Sequence, residues 1–233
     1  MAQRPSPPNA ASVATASACE TRRPPPRSTC SGESFRGCRV PRAFLAISLP
    51  LSLRSTFVAC RESLITHDPS WRGEKWVAEE NLHVTLRFLG SVPEDACAEV
   101  ADRVRDALSD VGTYRLRLDT VRAIPRPRSA SLLWVGASAG AEDTVGVASR
   151  IAGATSFVDF TPDGREFKTH VTLCRARHPR RIATAALDEV EHLLRRSDER
   201  ATTMSVREVT LFASTLTPRG PVYEELAIIP LGT

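Results

Sequence analysis

Leu82-His83-Val84-Thr85-Leu86 and, 87 residues further on, Thr169-His170-Val171-Thr172-Leu173 are two versions of one phrase. In each, a His-x-Thr set alternates with apolar residues. Such alternation with β-branched side chains marks a half-buried strand, in which residues i and i+2 share a face. The pattern predicts strands over 82–89 and 167–175. His83 and Thr85 should lie on one face with Val84 and Leu86 on the other, and His170 and Thr172 should be divided from Val171 and Leu173 in the same way. Thr is common in any strand, so the bland alternative is a repeat with a purely structural role. Two of only five histidines nevertheless stand in this context, one per half of the chain, whereas His67, His178 and His192 lack a hydroxyl in strand register and read as surface or loop residues. Two imidazoles, each beside a hydroxyl, suit a reaction that removes one proton and supplies another next to a phosphate.

Outward from these phrases the chain alternates in type. Residues 43–49 read as a strand ended by Pro50, 51–66 as a helix, and 93–109 as a helix opened by Pro93 with acids Glu94 and Asp95 in its first turn, where the helix dipole favours them. Strands are expected over 114–121 and 132–137, joined by the basic loop Pro125-Arg126-Pro127-Arg128. Helices follow over 141–154 and 182–196, and 205–213 with 223–229 form a closing strand pair. The predicted class is α+β: two pseudo-symmetric lobes of antiparallel sheet with outer helices, each carrying one motif strand and facing the other across a catalytic cleft.

Residues 1–40 differ in kind. They are rich in Pro, Ser, Ala, Thr and Arg, include Arg22-Arg23-Pro24-Pro25-Pro26-Arg27, and cannot bury enough surface to order themselves. Three readings stay open: a transit peptide, since the segment is Arg-rich and acid-poor but has no apolar run of a secretory signal; a disordered extension without a role; or a true start near Val40. Residues 41–233 are long enough for one sizeable domain, and no run approaches membrane-spanning length, so a soluble domain is expected. The chain's net charge of +4 belongs to the tail; residues 41–233 hold 25 basic and 25 acidic side chains. A neutral body argues against a broad basic face for nucleic acid and leaves room for a local contact at an RNA end. Six cysteines at irregular spacing offer no Cys-x-x-Cys pair or zinc pattern, so reduced thiols in the cytoplasm, with no metal and no cofactor, are the expectation.

The chain resembles the 2H phosphoesterase superfamily, and within it the bacterial and archaeal RNA 2′,3′-cyclic phosphodiesterases, historically called 2′-5′ RNA ligases. The matching stretches are Arg42-Ala43-Phe44-Leu45-Ala46-Ile47, the run from Trp76 to Gly90 containing Asn81-Leu82-His83-Val84-Thr85-Leu86-Arg87-Phe88-Leu89, and Leu132-Leu133-Trp134-Val135-Gly136. They continue with His170-Val171-Thr172-Leu173-Cys174-Arg175, Leu211-Phe212-Ala213-Ser214 and Gly220-Pro221-Val222-Tyr223. Thr169 stands where the family usually has Pro, and Ala123-Ile124 where an aromatic is common, which bears on loop shape and substrate preference.

The resemblance implies metal-independent hydrolysis of an RNA 2′,3′-cyclic phosphate end, or of a small cyclic nucleotide, by a monomer that has no membrane partner. His170 would take a proton from water, His83 would protonate the departing 3′-oxygen, and Thr85 and Thr172 would hold the nonbridging oxygens. Arg175 matches a family arginine near the phosphate. Strict alternation from His170 places it on the opposite face, so it reaches the cleft through a bend at the strand end or remains a solvated arginine. Arg87 shares parity with His83 and is a second candidate for binding substrate, its alternative being a surface arginine at a strand end. Phe88 falls on the core side, and Trp76 and Trp134 read as core or rim. A module that binds RNA ends without turnover, and RNA joining by reversal of the hydrolysis, are the rivals. Retention of both His-x-Thr sets argues against the first, and with Lys75 and Lys168 the body's only lysines, no ATP-dependent ligase motif is visible. Neither Ser131 nor Ser214 lies in a Gly-x-Ser-x-Gly elbow. Deletion of residues 1–40 should leave folding and turnover nearly unchanged, as thermal melting and an activity assay would show; a truncated protein that fails to fold would refute this boundary.

Overall fold

A computed structural model describes residues 42–158, 166–218 and 220–232. The Pro- and Arg-rich segment 1–40 lies outside the described residues. From the N-terminal side the elements are β1 (Arg42–Ser48), α1 (Leu51–His67), β2 (Lys75–Trp76), β3 (His83–Ser91), α2 (Glu94–Leu108), β4 (Tyr114–Ile124) and β5 (Ala130–Ala139). They continue with α3 (Ala141–Ala154), β6 (His170–Arg180), α4 (Thr184–Arg196), the one-turn α5 (Glu199–Thr202), β7 (Thr203–Val206), β8 (Glu208–Thr217) and β9 (Gly220–Pro230).

The strands form one continuous sheet in the order β7-β4-β5-β6-β3-β1-β8-β9, with β2 added on β6, and the pairings are antiparallel. The two expected lobes are the halves of this sheet. Outward from the β6/β3 junction, β5 matches β1 and β4 matches β8, so the strand order is a palindrome about the two motif strands. Each motif strand is reached from its outer neighbour through a helix, α1 between β1 and β3 and α3 between β5 and β6.

One face of the sheet is the core. Leu45, Ile47, Val84, Leu86, Leu133, Val135, Val171 and Leu173 are buried there with the apolar stripes of the helices, such as Leu53, Phe57, Cys60 and Leu64 of α1. Those four recur every three or four residues, the spacing of one helix face. Helices α1 and α4 pack together, as do α2 and α3. The opposite face carries a small second cluster of Phe44, Ala46 and Phe212, with Tyr223 against it.

One expectation is corrected. Residues 205–213 do not form a single strand: Arg207 separates β7, which pairs with β4, from β8, which pairs with β1 and β9. Val206 and Val209 are both fully buried although three apart, a spacing that breaks strand alternation and marks the exchange of partners. Because β7 and β8 stand far apart in the strand order yet only one residue apart in the chain, the sheet must curl until its ends meet. The amide of Leu231 donates to the carbonyl of Arg207 at 2.8 Å and carries the β8–β9 ladder up to that point of exchange.

The halves join through Val84 and Val171, which face each other across β3 and β6 and are 0% and 1% exposed. Truncating either to Ala should destabilise the protein by about 2 kcal/mol, the transfer loss of two carbons plus a cavity. A double-mutant cycle by chemical denaturation should show non-additive losses, because the two side chains share one contact.

Candidate active site

The Val84–Val171 register fixes what lies on the other face. One step away in an antiparallel pair, His83 comes to stand against Thr172 and Thr85 against His170, so the four polar residues form a quadrilateral about 5 Å across the strands and about 7 Å along them between backbone positions. The Nδ1 of His83 lies 2.8 Å from the Asn81 carbonyl, and the Nδ1 of His170 lies 2.6 Å from the Lys168 carbonyl. A carbonyl oxygen only accepts, so each Nδ1 carries the hydrogen and each Nε2 is left as the working nitrogen. For His83 this nitrogen is 2.9 Å from the Thr85 hydroxyl, which donates to the neutral ring or accepts from the charged one.

Ring contacts hold both imidazoles. Trp134, opposite Thr172 on β5, reaches diagonally over His170 with ring centroids 4.1 Å apart. Phe44 and Tyr223 flank His83 at 5.0 Å and 5.5 Å, the latter edge-on. Gly136 stands opposite His170, where a Cβ would meet the Thr120 hydroxyl at 2.9 Å; the absent side chain leaves room for that hydroxyl across the β4–β5 pairing.

A family model described as LigT like phosphoesterase matches residues 63–134 and 135–223. The chain belongs to this family. It is 32% identical to the RNA 2′,3′-cyclic phosphodiesterase of Aeropyrum pernix over 152 residues, 65% of this chain and 83% of that protein. The enzyme of the same name from Archaeoglobus fulgidus is 30% identical over 80% of this chain and 98% of its own length. Among solved structures, a Thermus thermophilus protein superposes with a TM-score of 0.65 at 24% identity, over 82% of this chain and 97% of its own. Escherichia coli LigT in its apo form does so at 0.61 and 23%, over 83% and 99%. These two share the LigT-like fold.

Within this phosphoesterase the motif strands depart from strict alternation. On β6 both Trp134–Thr172 and Leu133–Cys174 are register pairs, so Leu173 is an extra residue and the parity of everything after it is reversed. Arg175 thereby comes onto the face of His170 and Thr172. Its positive charge acts on His83, His170 and Tyr223 alike. On β3, extra residues at Leu86 and Leu89 place Arg87 opposite Leu45, on the core side, and Phe88 opposite Phe44, on the site side. The parity that put Arg87 beside His83 and Phe88 in the core is therefore inverted. Arg87 has a buried Nε with no hydrogen-bond partner among the described residues, while Phe88 is 51% exposed with its ring 6.0 Å from that of Phe44. His67, His178 and His192 are exposed, as expected.

Sequence reasoning missed Asn81 and Lys168, whose carbonyls orient the rings, and Phe44, Trp134 and Tyr223, which pack on them. The carbonyl partners leave no residue-type signal. The aromatic residues lie in quoted stretches but on other strands, Phe44 and Trp134 on the neighbouring β1 and β5 and Tyr223 three strands off on β9. Two cavities share Tyr223 and Pro221 as a wall: one of about 280 Å³ lined by His83 itself with Ser48, Arg54, Glu80 and Asn81, and one of about 370 Å³ lined by Arg42, Phe44, Phe88 and Leu216.

Burial pushes both imidazoles below the ordinary 6.5. The Nδ1 hydrogen bonds oppose the shift, the charge of Arg175 adds to it on both rings, and His170 adds to it on His83. Since the unfolded chain then takes up protons before the folded one, the stability held above pH 6.5 is lost as pH falls through the lowered values. Ring-proton titration by NMR should place both midpoints below 6.5, with stability declining over the same interval; a midpoint above 6.5 in the free protein would contradict the burial of that ring.

Proposed function

We propose that the chain hydrolyses RNA 2′,3′-cyclic phosphate ends to 2′-phosphates, with His170 as base and His83 as acid. The observation that carries this reading is the pair of His-x-Thr sets set face to face by the Val84–Val171 register, each with Nδ1 spent on a carbonyl and Nε2 directed to the shared space. Water loses a proton to the Nε2 of His170 and attacks phosphorus. The bond from phosphorus to the 3′-oxygen breaks, and that oxygen takes the proton from the Nε2 of His83. The hydroxyls of Thr85 and Thr172 and the charge of Arg175 stabilise the nonbridging oxygens as negative charge builds on them.

The positions of the cavities support this allocation. In the cyclic ester the leaving 3′-oxygen stays attached to the ribose, so the nucleoside lies on the side of the acid. His83 lines the smaller cavity, and the larger is walled by Phe44 and Tyr223, the two rings that flank His83. Among the described residues no three His, Cys, Asp or Glu side chains are grouped as metal ligands, and all four polar motif residues have a part without one. Cys60 and Cys174, with thiols pushed up to about 12 by burial, are free, which supports action in the reducing cytoplasm. No helix among the described residues is long and apolar enough to cross a membrane.

With both pKa values lowered, kcat/KM for a cyclic-phosphate substrate should peak below pH 6.5. His83→Ala should abolish the alkaline limb and His170→Ala the acidic limb, each lowering the maximum by a factor on the order of 100 or more. Turnover should persist in EDTA, and mass analysis should find a 2′-phosphate. A 3′-phosphate product, or undiminished turnover by His83→Ala, would overturn the mechanism.

A further inference from the structure

Lys75 and Arg175 stand directly opposite each other across the β2–β6 pairing, so two exposed cations share one face of the sheet. Like charges in that relation repel and weaken a strand pair. Beyond Arg175, β6 leaves its partner: Leu132 pairs with Arg175 and Ala130 with Arg180, so residues 176–179 arch out opposite Ser131 alone. The arch exposes Arg177 and is clamped at its base by Glu74, whose largely buried carboxylate accepts from the Arg177 amide at 2.7 Å and from the Arg180 guanidinium. Where β6 ends, the amide of Ile182 bonds to the carbonyl of Pro127 at 2.9 Å, which sets exposed Arg181 beside the loop bearing exposed Arg126 and Arg128.

Six cations are thus strung along one edge of the site, and among the described residues none of their side chains forms a salt bridge. Elsewhere Arg115 pairs with Glu199 and Arg150 with Asp110. The one acid inside the cluster, Glu74, is consumed in holding the arch. A ridge of uncompensated arginines leading out of a phosphate site is the electrostatic footprint of a polyanion.

We propose that this ridge, from Arg175 over the arch to the Arg126–Arg128 loop, carries phosphates of the nucleotides on the 5′ side of the cyclic end, so that the preferred substrate is an RNA chain rather than a mononucleotide. The inference rests on the cyclic-phosphate reading above. A 3′-terminal cyclic phosphate seated between the histidines leaves only the 5′ portion of a chain to reach outward. The neutral average composition of the body conceals this local excess.

The test uses the full chain with a mononucleoside 2′,3′-cyclic phosphate and with a ten-residue RNA ending in the same group, together with anisotropy binding of the ten-residue RNA ending in a 2′-phosphate. Arg126→Gln, Arg128→Gln and Arg177→Gln combined should lower kcat/KM for the RNA on the order of tenfold at low salt, leave the mononucleotide rate unchanged, and reduce the salt slope of RNA affinity by about 2, at about 0.7 per phosphate contact. The Arg177 amide that bonds Glu74 survives these changes, and Arg150→Gln, on α3, should alter nothing. An unchanged RNA affinity and salt slope, or an equal loss on both substrates, would overturn the ridge. Absence of turnover on both substrates by the parent protein would instead refute the cyclic-phosphate reading, and the binding measurement would still decide the ridge.

Discussion

One register pair, Val84 against Val171, governs the site. A strand has a side-chain period of two, so slipping β6 past β3 by one residue would turn one His-x-Thr set away from the other and into the core. The apolar residues of each phrase prevent this: holding a buried valine out of water is worth about 1.5–3 kcal/mol, and a slip would expose several such side chains at once. The polar half of each phrase is therefore positioned by the apolar half. The outer partners reinforce the arrangement. Ala46 and Ser48 of β1 lie opposite Thr85 and His83, and Gly136 of β5 lies opposite His170, so small residues leave the face open over the quadrilateral.

Alternation made the motif strands and the division of their faces legible, and helix periodicity located α1 to α4 to within a few residues. Bulges were not legible in the same way. Leu86, Leu89 and Leu173 are extra residues with apolar side chains, so the sequence continues to look like a strand while its parity changes beneath. The trace they leave is two adjacent buried residues, such as Leu173 and Cys174, in a strand with only one core face. Arg175, Arg87 and Phe88 all follow such points, which is why a parity count misplaced all three. The exchange of partners at Arg207 has the same origin, and it depends on contacts between the two ends of a curled sheet that no local pattern records.

Charge shows a second limit of linear reading. Equal numbers of acids and bases say nothing about where a fold collects them. Glu80 and Glu225 line the cavity at His83 while arginines from two separate segments, 126–128 and 175–181, meet beyond β6. Their meeting depends on the Ile182–Pro127 bond and on the Glu74 clamp, both far apart in sequence. The same arrangement puts Arg175 close enough to bias both imidazoles toward the neutral form.

Two identical phrases cannot by themselves assign opposite proton-transfer roles, so the difference must come from what surrounds them. His83 has its Nε2 engaged by Thr85, lies among Phe44 and Tyr223, and lines the smaller cavity. His170 lies under Trp134. Lowered pKa values suit His170 directly, because a base must begin without its proton. They oppose His83, which must begin with one. A phosphodiester monoanion seated between the rings changes that balance: its negative charge lies within a few ångströms of both nitrogens and raises the proton affinity of each. Water and the nucleoside then break the remaining symmetry, since the imidazole on the nucleoside side meets the leaving oxygen and the other meets only water. On this view the free protein keeps both histidines neutral, and the substrate itself draws in the proton that His83 returns to the 3′-oxygen.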